Sequence, residues 1–503
     1  MPEAIQTAAA YIFSVQGISL VILGTILGIT VGAIPGLTGA MLIALTLPLT
    51  FNMDPINAFI LLISMYVGAI SGGLITATLL RMPGTPASII TTLDGYPMAQ
   101  AGNPGRALGL GITASLVGGC ISWVFLITLS GPIARYSTKL GPFDFFSLVL
   151  MALVLIASIG GKSLMRAFLS ASLGVLVSLP GIDQTSGNLR LTFGIEELSG
   201  GFKLLPVLIG MFAVSQIIAD LSRLDEKINI IPVKKTREML FSLRDWKNHA
   251  VNLIRSAFIG TSIGVLPGIG ANISSMAAYS AARSLSKPEE KAKFGKGSEV
   301  GIVASETANN ATIGGAMIPL ISLGIPGSVI DAILLGGLLI HGLQPGPLLF
   351  QNNPELVNTM MGTMLVANGV MFLFMVFSVR YLARLALIPR SLLMPVILVF
   401  CIIGSYALST RMFDVWTMLG FGLLGFLFER TKIPLAPFVI GFILAPIAEE
   451  NLQMGLMASN GSFLPLIQRP VSLLFVVLSA VLLLVPLYKR FRERTIGTEM
   501  ADD

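Results

Sequence analysis

Charge is scarce in this chain. Asp, Glu, Lys and Arg together make up 12% of its 503 residues, where a soluble domain carries about a quarter, so an ordinary water-facing surface is excluded. Histidine occurs twice, as His249 and His341, and cysteine twice, as Cys120 and Cys401. That supply excludes Cys/His zinc spacings, an HExxH site and a disulfide framework. Each cysteine lies in an apolar run and is expected to be buried, while His341, in LLIHGLQPGP, is expected to be a hydrogen-bonded structural residue, the alternative being a proton relay. A phosphate loop is missing as well. Gly161-Lys162-Ser163 looks like the end of one, but Ile156 stands where its first glycine is required. ATP hydrolysis therefore has no support, Lys162 reads as a loop charge, and no enzyme chemistry is expected. The start, Met1-Pro2-Glu3, lacks the basic region of a signal peptide, so the first apolar run is expected to be retained.

What fills the chain instead is hydrocarbon. Hydrophobic residues account for 54% and the mean hydropathy is +0.84, and apolar runs recur from Ile18 to Leu487. The reading is an all-α polytopic membrane protein with about 12 membrane segments, counting re-entrant arms. The net charge of +6 reflects where Lys and Arg sit and does not point to nucleic acid. Arg223, Lys227, Lys234, Lys235, Arg237, Arg244 and Lys247 crowd one hydrophilic stretch, Arg283 to Lys296 form a second, and Lys489, Arg490, Arg492 and Arg494 a third. The positive-inside rule places all three in the cytoplasm. The expected divisions are a first membrane repeat over 1–221, a cytoplasmic basic linker over 222–250, a second repeat with additional C-terminal helices over 251–488, and a cytoplasmic tail over 489–503.

Two stretches, GAIPGLTGAM at 32–41 and GVLPGIGANIS at 264–274, put a helix-breaking Pro-Gly in the middle of a long apolar segment, once in each half. Backbone polar groups in hydrocarbon must be paired, so such a break is tolerated only where protein or a cavity satisfies what it opens. Paired breaks point to a transporter's binding site. The second is predicted to be a hairpin entering from the cytoplasm, with arms 252–266 and 268–282, each about 22 Å of helix against a hydrocarbon core of about 30 Å. The first has no Lys or Arg before Arg81 and an acidic loop, Phe51 to Pro55, after it, so it is predicted to enter from outside. Pro35 and Pro267 are 232 residues apart, and Pro83-Gly84 and Pro326-Gly327, each preceded by a Gly-Gly pair, are 243 apart. Inverted repeats with discontinuous helices follow, the basic loop after Ser284 absorbing the 11-residue drift.

Each break frees N–H groups at a helix start, an arrangement that attracts anions. One helix end contributes about 0.3–1 kcal/mol, or about 2 when partly buried, whereas removing a carboxylate from water costs several. Several groups must therefore converge. The expected substrate-binding set is Pro35, Gly36, Thr38, Gly39, Arg81, Pro83, Gly84, Thr85, Ser88, Pro267, Gly268, Gly270, Asn272, Ser274, Pro326, Gly327 and Ser328; the competing reading is that these glycines only permit close helix packing. Charge inside the membrane costs about 2.5–3.5 kcal/mol on insertion scales, which singles out Glu306, Asp94 and Arg81. Glu306 lies in SETANNAT, where Asn309 and Asn310 offer carbonyl oxygens to Na⁺ and the carboxylate could carry H⁺; these three and Asp94 form the expected cation-coupling set, the alternative being a structural polar cluster. Arg81 reads equally as a substrate counter-ion or a snorkelling side chain.

Taken together, GAIPGLTGAMLIALTLPLTF, MPGTPASIITTLDGYPMA, GVLPGIGA, ETANNATIGGAMIPLISLGIPG and LLIHGLQPGPLLF resemble the large membrane subunit of the tripartite tricarboxylate transporters, the TctA family, over nearly the whole chain. The resemblance implies a bacterial inner-membrane permease that works with a small four-helix membrane subunit (TctB-like) and a periplasmic solute-binding protein (TctC-like), importing carboxylates on a cation gradient, with no cofactor beyond a coupling Na⁺ or H⁺. Two positions depart from the family pattern: Ser305 stands where Pro is expected, and Arg81 where a small polar residue is. The rival readings are a passive channel built from re-entrant half-helices and, with less support, an intramembrane enzyme.

Overall fold

The computed structural model describes residues 2–159, 163–183, 186–221, 231, 239–385, 387–388, 390–407 and 409–499. Lys162 and the linker charges Arg223, Lys227, Lys234, Lys235 and Arg237 lie outside them. The described chain is helical nearly throughout, in the order α1 (Pro2–Phe13), α2 (Val15–Gly32), α3 (Gly39–Thr50), α4 (Pro55–Leu80), a 3₁₀ turn (Pro86–Ile89), α5 (Thr92–Gln100), α6 (Pro104–Ser137), α7 (Pro142–Ile159) and α8 (Leu164–Ser178). There follow α9 (Leu204–Ile209), a π-turn, α10 (Ser215–Leu221), α11 (Leu243–Gly264), α12 (Gly270–Leu285), α13 (Pro288–Lys291), α14 (Glu299–Leu323), α15 (Val329–Ile340) and α16 (Pro347–Asn352). The series ends with α17 (Pro354–Leu385), α18 (Arg390–Ala407), α19 (Met412–Arg430), α20 (Leu435–Ala458), α21 (Pro465–Gln468) and α22 (Pro470–Glu499).

Seven described helices are long and apolar enough to cross a membrane, and six shorter apolar helices accompany them. This is a multi-pass membrane protein. The two Pro-Gly breaks fall between α2 and α3 and between α11 and α12, with the arms of each packed together. α3, at 12 residues, reaches only about 18 Å. The second hairpin's first arm is longer than predicted, 22 residues against 15. Ser242 and Asp245 form a reciprocal capping box, which satisfies the first-turn donors and starts the helix inside the hydrophilic stretch. Residues 243–250 of the expected linker are therefore helical.

The chain divides into two compact units. One contains Met1–Ser137 and Leu204–Phe426, the other Thr138–Lys203 and Leu427–Asp503. In the first, α4 and α14 run through the centre: every residue from Ala58 to Leu79 and from Gly301 to Ser322 is buried. α4 is apolar nearly all round and has no preferred outer face, so it takes the middle, and the polar residues of α14, Glu306, Asn309 and Asn310 among them, are turned to protein rather than outward. α2 and α11 lie against these two, and Leu23, Leu27, Ile254 and Phe258 point outward, where hydrocarbon rather than water is the compatible solvent. Cys401 is buried as expected, but Cys120 is only half-buried, because Gly118 and Gly119 turn the packed face of α6 toward Thr307 and Asn368 and leave the next position at its edge. In the second unit, Arg190 pairs with Glu449 and Arg469 with Asp144, and β1 (Gly181–Ile182) pairs antiparallel with β2 (Leu189–Arg190).

Candidate functional site

The broken helices dock on α4 and α14 through glycine, and the two halves do so at matching positions. A Cβ on Gly28 or Gly32 of α2 would run into the backbone oxygens of Met65 and Ala69; on Gly260 or Gly264 of α11, into those of Ala308 and Thr312. From the other side, Gly72 faces the oxygen of Ile29 and Gly315 that of Thr261, while Gly84 abuts the oxygen of Gly32 and Gly327 that of Gly264. Each broken-helix residue is 232 positions from its counterpart, and each residue of the following helix and Pro-Gly loop 243. Helix axes this close leave no room for a side chain.

The breaks themselves are paired by backbone and hydroxyl groups. Gly268 donates its N–H to the Gly327 oxygen at 2.9 Å, and Gly268 and Gly270 hold φ of 72° and 70°. Thr38 caps α3 by accepting the Met41 N–H at 3.2 Å, and Gly39 fits between Ala69 and Ile330, bringing the first break against the start of α15. The 3₁₀ turn after Pro83-Gly84 packs correspondingly on α12. Each break thus meets Pro-Gly loops of both halves, and Gly36 of the first break also lies against the Asp220 carboxylate of α10. Thr85 and Ser88 form a capping box over Gly73, and the Ser274 hydroxyl lies 2.5 Å from that of Thr312. Pro35, Pro267 and Pro326 are buried, whereas Pro83, Arg81 and Asn272 are exposed. Arg81 ends α4 at φ 58° and lies over the Tyr96 ring, 5.8 Å from its centroid.

Glu306 is completely buried in α14. Thr91 donates its hydroxyl to one carboxylate oxygen, and Ser115 approaches the other at 3.4 Å. One turn on, Asn310 accepts the Ser71 hydroxyl at 2.7 Å and donates to the Glu306 carbonyl at 3.2 Å. Asn309 is buried too and faces the Glu306 carboxylate, and among the described residues its amide completes no hydrogen bond of ordinary geometry. Among the described residues no ion pair involves Glu306. The cluster is therefore a set of oxygens around one carboxylate, with Thr91, Ser71 and Ser115 supplied by the first half and α14 by the second.

Asp94 is surrounded differently. One oxygen accepts the backbone N–H groups of Gly295 at 2.8 Å and of Gly297 and Ser298 at 2.9 Å, and the other accepts the Tyr279 hydroxyl at 2.8 Å. Four donors hold it. It clasps the loop that enters α14. Nearby, Arg106 of α6 bridges Asp245 at the start of α11 and Glu299 at the start of α14, at 2.6 and 2.8 Å. Arg106 holds the Asp245 carboxyl well below the usual carboxylate range, with Ser242 adding to the effect. Asp245, His249 and Glu299 have metal-ligand chemistry and lie within reach of one another, but the guanidinium already supplies their positive charge. His341 lies 3.4 Å from the Thr50 hydroxyl and edge-on to Phe59.

Sequence reasoning missed Thr91, Ser115 and Ser71, which only the fold brings to Glu306 and Asn310. It also missed Asp331 and Tyr66, which join Ser328. The pattern Ser328-x-x-Asp331 is a helix-start signature and was available as a signal.

Over 480 residues, 95% of each chain, the sequence is 34% identical to an uncharacterized 52.8 kDa protein in the TAR-I ttuC' 3'region of Agrobacterium vitis. It is also 31% identical to an uncharacterized protein in the TAR-II ttuC' 3'region of the same organism, over 244 residues that make up 48% of this chain and 100% of that relative. No solved structure matches it. Residues 18–440 match the tripartite tricarboxylate transporter TctA family, and the chain, with its paired broken helices and buried carboxylate cluster, belongs to that family.

Proposed function

We propose that this chain is the permease subunit of a binding-protein-dependent secondary transporter in the bacterial inner membrane, importing organic acids of the tricarboxylate and dicarboxylate class by cation-coupled alternating access. The observation that carries the proposal is the Glu306 cluster. An unpaired carboxylate in hydrocarbon is costly, and a Na⁺ or H⁺ arriving among Glu306, Asn309 and Asn310 offsets that cost. Because Thr91 and Ser71 come from the other half, cation binding changes how the halves are joined, which is what coupling needs. The matched glycine contacts support two structural repeats, and the opposite charge signs of their loops support inversion between them. The substrate carboxylates settle near the starts of α3 and α12 and the Pro83-Gly84 and Pro326-Gly327 loops, where several N–H and hydroxyl donors share a cost that one helix end cannot meet. Asp94, its oxygens already filled, positions α14 beside the cation. A small four-helix membrane subunit and a periplasmic solute-binding protein complete the system, and the C-terminus is cytoplasmic. The test is uptake of radiolabelled tricarboxylates and dicarboxylates by the complete system in proteoliposomes, with and without a Na⁺ or H⁺ gradient. Accumulation driven by the gradient is expected; flux that only dissipates the substrate's own gradient would make the chain a passive channel.

A further inference from the structure

Asp331, in the first turn of α15, is completely buried, as Glu306 and Asp94 are. Its Oδ2 accepts the Ser328 hydroxyl at 2.5 Å and the Tyr66 hydroxyl at 3.4 Å, and the two hydroxyls are 3.2 Å apart. Its Oδ1 is buried and, among the described residues, accepts no hydrogen bond. Helix capping explains part of this, since the Asp331 N–H donates to Ser328 Oγ at 3.3 Å. It does not explain a bare carboxylate oxygen, or a tyrosine brought from the other half. A carboxylate oxygen left without a partner in an apolar interior is expensive, so the site is built for something that arrives.

The surroundings say what. Tyr66 is the one titratable residue in α4, α3 and α9 carry none, and α14 carries Glu299 and Glu306. Among the described residues no Lys, Arg or His pairs with Asp331. What the site offers is a carboxylate with one free oxygen and two hydroxyl oxygens beside the other, and hard oxygens of this kind suit a small cation. Gly39 at the end of the first break packs on Ile330, the preceding residue, so an occupant here would touch both halves. Ser328 and Asp331 also stand 243 residues after Thr85 and Ser88, which form the same box with hydroxyls alone. The second half thus carries a charge where the first does not.

We propose that Asp331, with Ser328 and Tyr66, forms a second coupling-cation site for Na⁺ or H⁺, separate from the Glu306 cluster, so that the chain loads two monovalent cations in each cycle. This rests on the transporter reading. The experiment is equilibrium binding of radiolabelled Na⁺ to the purified full chain at fixed pH, paired with infrared titration of protonated carboxyl groups without Na⁺. Wild type is expected to bind two cations in one of the two arms, and Asp331→Asn and Glu306→Gln one each. Ser328→Ala and Tyr66→Phe, which keep the carboxylate, are expected to weaken one of the two sites by about fivefold, the size of one lost hydrogen bond. Wild-type stoichiometry in Asp331→Asn in both arms, or unchanged affinity in both hydroxyl variants, overturns the second site and leaves the transporter reading standing. Loss at Asp331 with none at Glu306 supports the second site and removes Glu306 from the coupling role.

Discussion

Glu306 and Asn310 stand one turn apart on α14, and each takes a hydroxyl from a residue far away in sequence: Thr91, 215 positions before Glu306, and Ser71, 239 before Asn310. Glu306→Gln keeps the shape and removes the charge; Asn310→Ala removes the acceptor for Ser71. Glu306→Gln is expected to lower cation-dependent uptake by about tenfold or more, since a hydrogen bond to a charged group contributes about 1.5–3 kcal/mol, and Asn310→Ala, which removes a bond between neutral groups, by about fivefold, while membrane insertion persists. Uptake assayed against a cation titration, alongside membrane-fraction blots, reads both effects, and unchanged coupling in both variants would remove these residues from the site. Glu306 was legible in the sequence because a charge in an apolar run is conspicuous. Thr91, Ser71 and Ser115 were not, because hydroxyls are ordinary in membrane helices and their meaning lies in partners that only the fold selects.

Helix ends decide much at the next scale. The Pro-Gly breaks could be read directly, since proline and glycine act on their own backbone. The start of α11 was missed although Ser242-x-x-Asp245 is the same helix-start signature as Ser328-x-x-Asp331, because it lies among charges that read as linker. Its first turn is tied to α6 and α14 by Arg106, and that tie has a pH signature. The Asp245 carboxyl is held low in the folded chain, so its contribution is fully present above the ordinary carboxylate range, about pH 4, and is lost as pH falls through that range toward the lower folded value. Arg106→Gln leaves two carboxylates facing each other and is expected to cost about 1–3 kcal/mol at neutral pH. Thermal unfolding in detergent at pH 7 and at about pH 2.5, below the unfolded carboxylate range, tests this: the gap between wild type and variant should narrow at the acid end, and a constant gap would show that charge is not the cause.

Across the whole molecule, the sequence pattern of two halves with an 11-residue drift has a counterpart in the glycine contacts, which keep one spacing on α2 and α11 and another on α4 and α14. On the inverted-repeat reading, Asn52→Cys and Lys291→Cys, in a chain lacking Cys120 and Cys401, are expected to react with impermeant reagents from opposite sides of the membrane. Labelling of both from the same side would defeat inversion. The way the Pro-Gly loops of both halves meet each break was not legible, because helix periodicity carries no information about which helices become neighbours.

The Asp94 clasp falls on a particular spot. Residues 283–297 stand where the first half has only 51–54, and two of the three N–H groups that Asp94 holds, those of Gly295 and Gly297, belong to this surplus. A carrier made of two perfectly alike parts would have no reason to favour one side of the membrane at rest. On the proposed alternating-access reading, a single aspartate fastens a loop that only the second half possesses, so the idle carrier is expected to lean toward the side on which the fastening is kept. Asp94→Asn would then be read as a shift in the ratio of outward-facing to inward-facing molecules, and an unchanged ratio would mean that the bias originates elsewhere.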